Sequence, residues 1–268
     1  MTEITGHTRL FAIVADPVGH VRTPQVFNAR FAARATDAVM VPVHVDAAGL
    51  PAAFDAFRAM KNLGGIIVTV PHKTGAVALC DAVGETGRAV GAVNTIRREP
   101  DGRLVGDMFD GEGFVAGLRA QGVEPAGRDV CLLGAGGAAN AIAFSLARAG
   151  AARITIANRT ARKAEDLAAR LRGRFPGLAA AAIPGAPGAT DPAGHDLVVN
   201  ATSLGLRAED PLPLDAARLE PAMTVAEIIM KPERTPLLLA AERRGCRVHL
   251  GRHMLDCQVE LMARFMGA

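Results

Sequence analysis

The segment DVCLLGAGGAA at residues 129–139 decides the fold of the second half of this chain. The apolar run predicts a buried strand, the glycines predict a tight turn, and Gly137–Ala149 predicts a helix. In that context the turn fits G-x-G-x-x-[GA], where backbone approaches a pyrophosphate and a helix N-terminus offers N–H groups. We therefore predict a dinucleotide site, with a tight turn that binds nothing as the alternative. Its predicted residues are Gly134, Ala135, Gly136, Gly137 and Ala138.

The end of the next predicted strand, Arg153–Ala157, indicates which dinucleotide binds. NAD sites usually carry a carboxylate about 20 residues after the turn, which holds the ribose hydroxyls. Here Asn158, Arg159 and Thr160 follow the strand, and Lys163 lies just beyond. Arg159 can pair with a 2′-phosphate, and Thr160 can cap the next helix or donate a hydrogen bond. We predict NADP, with NAD less favoured. The competing interpretation is that these are ordinary basic residues on the surface. The helix dipole disfavours positive charge at the start of a helix, which argues against that interpretation.

Composition excludes several classes of protein. The chain has 268 residues, 50% hydrophobic and 21% charged, which is enough for one or two cores and too apolar for disorder. Its net charge is +3 with the two signs interleaved, and it has no Tyr or Trp. We therefore expect neither a nucleic acid nor a membrane as partner, but a small-molecule substrate.

The cysteines and the remaining composition set further expectations. The four cysteines are scattered without metal-ligand spacing, so we expect no disulfide scaffold and no metal. That usage favours a soluble, cytoplasmic protein. We expect a monomer or a homodimer.

Strand-like and helical segments alternate along both halves. Alternation of this kind predicts parallel sheets covered by helices, hence the α/β class, in two α/β domains that meet near residue 110 with a cleft between them. The strands expected are Leu10–Ala15, Val39–Val45, Gly65–Val70, Val90–Arg97, Arg103–Met108, Asp129–Leu133, Arg153–Ala157, Leu197–Asn200, Val225–Ile229 and Arg247–Leu250. The helices expected are Thr23–Ala35, Leu50–Asn62, Gly137–Ala149, Thr160–Arg172, Thr235–Arg244 and Met254–Phe265. Residues 173–195 hold a short strand that the sequence does not place.

Lys73 and Asp110 are candidates for proton transfer. Only four of the 30 basic residues are lysine, and Lys can release a proton whereas Arg cannot. Lys73 stands at a predicted strand end and Asp110 at the domain junction. A lysine beside a carboxylate can relay a proton while a nicotinamide handles hydride. A surface lysine and a turn aspartate that never meet remain the alternative.

Six motifs together resemble the shikimate dehydrogenase family in order and spacing. They are Thr69–Lys73, Gly91–Thr95, Gly106–Gly111, Gly134–Ala138, Asn158–Thr160 and Asn200–Ser203. The resemblance implies a substrate-binding and catalytic domain of residues 1–109 and 250–268, and an NADP-binding Rossmann domain of residues 110–249. It also implies reversible reduction of 3-dehydroshikimate to shikimate, or the matching quinate reaction.

The resemblance assigns roles to further residues. It makes Lys73 and Asp110 the catalytic pair. By motif position it places Thr23, Thr69, Asn94 and Gln258 at the substrate. It places Thr202, Ile228 and Gly251 at the cofactor.

Three positions near the substrate depart from the family pattern. Val21 stands where the family has a serine that holds the substrate carboxylate, Phe109 replaces a polar residue before Asp110, and Met230 replaces a tyrosine. Together they predict an altered pocket around Val21 and Met230. Two functions remain as alternatives to a shikimate or quinate dehydrogenase. One is a dehydrogenase for a less polar or amino-substituted cyclic hydroxy acid, and the other is a non-catalytic NADP-binding sensor. Retention of both Lys73 and Asp110 argues against the sensor.

Overall fold

The computed structural model describes residues 3–19 and 21–268. The chain forms two compact units. The first unit comprises Met1–Phe109 and Val259–Ala268, and the second unit comprises Asp110–Gln258. Which unit binds substrate and which binds cofactor stays a prediction at this point.

The first unit is built on a mixed six-stranded sheet. Its strands are β1 (Arg9–Ala15), β2 (Ala38–His44), β3 (Leu63–Val68), β4 (Ala82–Val83), β5 (Thr95–Arg98) and β6 (Leu104–Asp107). Its helices are α1 (Thr23–Ala33), α2 (Leu50–Ala59) and α3 (Glu85–Val90). The strand order is β2-β1-β3-β5-β6-β4, and β5 runs antiparallel to both of its neighbours. The start of β5 therefore lies at the same edge as the ends of β3 and β6.

The second unit is built on a six-stranded sheet in which every pair is parallel. Its strands are β7 (Asp129–Leu133), β8 (Arg153–Asn158), β9 (Ala179–Pro184), β10 (Leu197–Asn200), β11 (Thr224–Glu227) and β12 (Arg247–His249), in the order β12-β11-β10-β7-β8-β9. Its helices are α4 (Asp110–Ala120), α5 (Gly137–Arg148), α6 (Ala161–Arg174) and α7 (Pro236–Arg243). A last helix, α8 (Gly251–Met266), contributes residues to both units.

Each sheet buries apolar side chains on its covering helices. In the first unit, Phe54 and Phe57 of α2 pack with Ile66 and Leu104 of the sheet. In the second unit, Val198 and Val225 of the sheet pack with Leu238 of α7. Each fully buried side chain of this size contributes roughly 1.5–3 kcal/mol to the hydrophobic stabilisation.

The helix α4 is the largest element that the sequence did not predict. Three glycines among its eleven residues lower its intrinsic helix propensity. The structure shows why they are there. A Cβ on Gly111 would lie 2.0 Å from the carbonyl oxygen of Ala141, and one on Gly117 would lie 2.8 Å from that of His253. The glycines let α5 and α8 approach the α4 backbone.

Several element boundaries also differ from the predictions. The expected strand Val90–Arg97 is wrong in its first half, because α3 ends at Val90 and Gly91 adopts a left-handed φ of +74°. The strand β5 begins only at Thr95. The final helix begins at Gly251, three residues before the expected Met254. Residues 3–19 and 21–268 contain no helix that is both long and apolar enough to cross a membrane.

Candidate active site

The glycine turn after β7 has a conformation that requires glycine at its first position. Gly134 has a φ of +109°, and a Cβ there would lie 2.8 Å from the carbonyl oxygen of Ala201. Its N–H donates to the carbonyl of Ala157 at 2.8 Å. By contrast, a Cβ on Gly136 or Gly137 would meet no atom within 4 Å. The turn is therefore closely packed at Gly134 and open at Gly136 and Gly137, as backbone contact with a ligand requires.

Asn140 holds the carbonyl groups of this turn. Its Nδ2 donates to the carbonyl oxygens of Ala135 at 3.1 Å and Gly136 at 2.7 Å. Arg170 donates to its Oδ1, and the same guanidinium lies 5.7 Å from the ring centre of Phe144. The N-cap residue of α5 is Gly136, which has no side chain that could cap the first turn. With the carbonyls engaged, the N–H groups at the start of the helix are presented for an anion.

A cavity of about 350 Å³ opens in front of the turn. Six of the predicted cofactor residues line it: Gly134, Ala135, Gly136, Asn158, Arg159 and Thr202. The other six are not part of its lining: Gly137, Ala138, Thr160, Lys163, Ile228 and Gly251. The ends of β7, β8 and β10 thus converge on one space within the second unit.

Sequence reasoning missed the part of the lining that follows β9. It consists of Gly185, Ala186, Pro187 and Thr190. The segment is rich in Gly, Ala and Pro, so it carries no periodicity that would place a strand. In the structure, Gly185 directly follows the end of β9 and packs closely. A Cβ there would lie 2.6 Å from the Asn158 nitrogen.

The residues around the cavity fit NADP. Arg159 is exposed at the end of β8, and the residues that line the cavity include no carboxylate to repel a 2′-phosphate. The Nδ2 of Asn158 donates to the carbonyl of Thr160 at 2.9 Å, which fixes the segment between β8 and α6. Thr160 stands at the N-cap position of α6, but its side chain makes no capping hydrogen bond.

Ile228 and Gly251, predicted by resemblance, lie together in the second unit. A Cβ on Gly251 would come within 2.4 Å of the Ile229 carbonyl oxygen and 2.8 Å of the Ile228 carbonyl carbon. Only glycine therefore allows the start of α8 to pack against the segment after β11. Met230, two residues further on, is 46% exposed.

In the first unit, two predicted residues, Lys73 and Asn94, lie at one sheet edge. The carbonyl of Lys73 accepts the N–H of Val93 at 2.9 Å, and the carbonyl of Asn94 accepts that of Val68 at 2.8 Å. The Oδ1 of Asn94 also accepts the Thr95 hydroxyl and the Phe109 N–H, each at 3.0 Å. These bonds hold the Asn94 side chain, which is 2% exposed, in one orientation.

The remaining first-unit predictions are placed less closely. The N–H of Thr69 donates to Val14 at the end of β1, at 3.1 Å. Thr23 is the first residue of α1, and Val21 lies half-buried just before it. Phe109 is buried, and its ring centre lies 5.1 Å from that of Phe265. Its bulk therefore fills the core of the first unit, which favours repacking over a change of pocket at that position.

Asp110 and Gln258 form a buried pair in the second unit. Asp110 is the first residue of α4 and is 3% exposed, and the Nε2 of Gln258 on α8 donates to its Oδ1 at 2.7 Å. The two residues are 148 positions apart in sequence. Gln258 is itself buried, not solvent-facing, and fixes the orientation of the Asp110 carboxylate.

A wholly parallel sheet with a glycine turn, an arginine at the next strand end and a cavity at those ends defines a dinucleotide-dependent oxidoreductase. Two family models match the chain: the shikimate dehydrogenase substrate binding domain over residues 13–96, and shikimate / quinate 5-dehydrogenase over residues 119–181. A shikimate dehydrogenase (NADP(+)) from Rubrobacter xylanophilus is 42% identical, with 94% of this chain and 88% of the relative covered. The chain belongs to the shikimate dehydrogenase family.

Solved structures agree with this assignment. The 5-ketofructose reductase of Gluconobacter sp. strain CHM43 is 34% identical with a TM-score of 0.90, covering 97% of this chain and 92% of that one. A shikimate dehydrogenase in complex with NADP+ is 29% identical with a TM-score of 0.91, covering 99% and 92%. The predicted fold class is confirmed.

Proposed function

We propose that this chain catalyses the NADP-dependent interconversion of 3-dehydroshikimate and shikimate, or of the matching quinate-type cyclic hydroxy acids. The observation that carries the proposal is the cavity of the second unit. It combines the glycine turn with Arg159 and has no carboxylate in its lining. The 42% identical relative, a shikimate dehydrogenase (NADP(+)), supports both the substrate and the cofactor.

We assign the substrate to the first unit and NADP to the second. The first unit supplies Thr23, Thr69 and Asn94 as hydrogen-bonding groups, and Val21 stands two positions before Thr23. The second unit supplies the turn, Arg159 and Thr202 for the cofactor, and the resemblance adds Ile228 and Gly251, which do not line the cavity. The protein acts as a monomer or homodimer on a small molecule, in the cytoplasm.

Lys73 and Asp110 carry the proton chemistry in this proposal. Bound NADP supplies the hydride acceptor or donor. Lys73 donates a proton to, or takes one from, the substrate oxygen whose carbon changes oxidation state. Asp110, oriented by Gln258, accepts a hydrogen bond from the substrate hydroxyl.

A substrate panel tests the proposal directly. Shikimate and quinate are each offered with NADP+ and with NAD+, and reduced cofactor is followed by its absorbance. We expect turnover of at least one of the two acids, with a higher kcat/KM for NADP+ than for NAD+. Absence of turnover of both acids with either cofactor would refute the proposal.

A second candidate is reduction of a polyhydroxy ketone that has no carboxylate. Two observations favour it: Val21 and Met230 are apolar where the family carries hydroxyl groups, and a structure with a TM-score of 0.90 is named a 5-ketofructose reductase. A charged substrate group without its partner costs roughly 1–3 kcal/mol or more. Shikimate would then be turned over poorly.

One double variant separates the two candidates. Val21→Ser with Met230→Tyr restores two hydroxyls and should raise kcat/KM for shikimate, chiefly through KM, because a carboxylate anchor binds ground and transition states alike. A wild-type kcat/KM for shikimate of about 10⁵ M⁻¹s⁻¹ or above, in the range of efficient enzymes, would exclude the altered pocket. Turnover of 5-ketofructose with NADPH, at a higher kcat/KM than shikimate, would establish the second candidate.

A further inference from the structure

Glu227 is a carboxylate that is completely buried at the end of β11, with 0% of the residue exposed. It stands opposite Asn200, the last residue of β10, in the parallel register. Its Oε2 accepts hydrogen bonds from the Asn200 Nδ2 at 2.9 Å and the Thr235 hydroxyl at 3.0 Å. Its Oε1 accepts the backbone N–H groups of Ile228 at 2.9 Å and Ile229 at 3.1 Å. Each carboxylate oxygen thus meets two donors.

Asn200 and Thr235 can act only as hydrogen-bond donors toward Glu227. The Oδ1 of Asn200 is already taken by the N–H and the hydroxyl of Thr202, at 3.1 and 2.7 Å, so its Nδ2 must face Glu227. The Thr235 oxygen accepts the N–H of Leu238 at 3.4 Å as the cap of α7, which turns its own proton toward Glu227. The site therefore requires a group that only accepts hydrogen bonds, which is an ionised carboxylate.

Burial and hydrogen bonding act in opposite directions on this group. Burial raises the pKa of Glu227 above its usual range, and the bonds from Asn200, Ile229, Thr235 and Ile228 counteract that rise. Loss of the charge, or its replacement by a group with an N–H₂, would leave at least one donor facing another donor. A buried donor without an acceptor costs more than an ordinary hydrogen bond contributes.

The network holds two segments that carry predicted cofactor residues, and the first of them lines the candidate cofactor site. One is the loop after β10, where Thr202 and Leu204 line the cavity and Asn200 Nδ2 also donates to the Leu204 carbonyl at 3.0 Å. The other is the turn after β11, where Ile228 and Ile229 pack against Gly251. Glu227 itself does not line the cavity.

We propose that Glu227 is a positioning residue for cofactor binding: its carboxylate fixes the loop after β10 and the turn after β11 in the shape that NADP requires. This rests on the proposed function, since it concerns the same cavity. Glu227 acts through Asn200, Thr202 and the backbone of Ile228, without touching the cofactor. Its acceptor character matters more than its volume.

Two substitutions separate acceptor character from volume. Glu227→Gln keeps the shape but introduces two N–H donors, whereas Glu227→Asp keeps the carboxylate but shortens it by one methylene. Glu220→Gln, at an exposed glutamate before the same strand, is the matched control. The Kd for NADPH is measured by titrating NADPH fluorescence, which no Trp of the chain can sensitise, and KM values for NADP+ and shikimate are measured in parallel.

We expect Glu227→Gln to raise the Kd for NADPH and the KM for NADP+ by about tenfold or more, because buried donors lose their acceptor. The KM for shikimate should change less than the KM for NADP+, because Thr23, Thr69 and Asn94, which we propose as substrate-binding residues, lie in the other unit. Glu227→Asp should bind NADPH more tightly than Glu227→Gln. Equal NADPH affinity in Glu227→Gln and wild type would overturn the proposal, and so would an order in which Gln binds better than Asp.

Circular dichroism and a thermal melt show which variants fold. If Glu227→Gln does not fold, Thr235→Val and Thr235→Ser provide the same comparison, because Ser keeps the hydroxyl that donates to Glu227 and Val does not. NADPH should bind to the Ser variant as to wild type and more weakly to the Val variant. Identical binding would overturn the proposal. A wild-type protein that fails to bind NADPH refutes the proposed function and this inference with it, whereas binding that the variants leave unchanged refutes the inference alone.

Discussion

The two sheets arrange their candidate site residues by different rules. In the second unit, Gly134, Arg159 and Thr202 all lie within two residues after the carboxyl ends of parallel strands. In the first unit, Thr69 follows β3, but Asn94 precedes β5. Because β5 is antiparallel to β3 and β6, its beginning lies at the same edge as their ends. Proximity depends on the direction of each strand, and only in a parallel sheet does position after a strand suffice.

The largest effect is expected at the first-unit edge, where Lys73 lies. Lys73→Ala should lower kcat by about 10²–10⁴-fold with a smaller change in KM, because it removes the proposed general acid and base. Lys61→Ala, at an exposed position before β3, should leave kcat unchanged. Steady-state kinetics with NADP+ and shikimate measure both. Full activity of Lys73→Ala would show that another residue carries the proton transfer. Only the second unit would then have functional residues at its sheet edge.

Acid should affect the second unit first, through His249 at the end of β12. Burial, then the nearby His253 and Arg247, lower the pKa of His249 from 6.5 to about 4. Its ring nitrogens have no hydrogen-bond partner among the residues that the structure describes. The unfolded chain therefore binds the extra proton first. The stability that neutral His249 contributes is complete above pH 6.5 and is lost as the pH falls toward 4.

The predicted size of that loss is on the order of 3 kcal/mol across the window. His249→Gln should flatten the pH dependence of the free energy of unfolding, measured by urea titration between pH 7 and about 4. His7→Gln, at an exposed residue far from His249 in sequence, is the control. Hydrogen exchange should show amides of the second unit opening first in acid. Parallel pH profiles for His249→Gln and wild type would contradict the assignment.

The glycine turn offers a comparison between two glycines of one motif. Gly134→Ala places a Cβ against the Ala201 carbonyl at a φ of +109° and should cost roughly 1–3 kcal/mol of stability, seen as a lower Tm. Gly136→Ala meets no atom and should leave Tm unchanged. Both should weaken NADPH binding, the second because its methyl group occupies the open face. Gly136→Ala with normal NADPH affinity would show that the turn does not contact the cofactor.

The smallest effect is expected at the end of β8. Arg159→Ala should reduce affinity for NADP+ by about tenfold while affinity for NAD+ stays, because only NADP+ has the 2′-phosphate, and exposure keeps a charge-assisted contact near the lower end of its range. Arg162→Ala, at the second residue of α6 with 89% of its side chain exposed, is the matched control. Calorimetry gives both affinities. An unchanged NADP+/NAD+ ratio in Arg159→Ala would remove it from the site.

The sequence could predict a feature when consecutive residues specify it. The strand β7, the turn and the helix α5 are specified by consecutive residues, and the predicted helix ended within one residue of the observed Arg148. The lining after β9 was missed because its Gly, Ala and Pro residues form no pattern of period two or 3.6.

Features that depend on distant partners could not be predicted in this way. The glycines of α4 weaken the helical pattern locally, and their value appears only when α5 and α8 lie against them. Phe114, Val115 and Leu118, spaced as one helix face, were the available indication of α4. The bond between Gln258 and Asp110 joins residues too far apart in sequence for spacing to indicate it. Resemblance named both residues but did not predict their contact.

The way Asn140 holds the carbonyls of the glycine turn has a consequence for the speed of cofactor association. A turn whose shape is already fixed by a side chain of its own helix needs no slow rearrangement before or after the encounter. Mixing the protein with NADPH in a stopped-flow instrument should therefore give one exponential phase, with a rate constant that rises linearly with NADPH concentration. Asn140→Ala leaves the turn free to adopt other conformations. A second phase, independent of NADPH concentration, should then appear as the turn rearranges around NADPH.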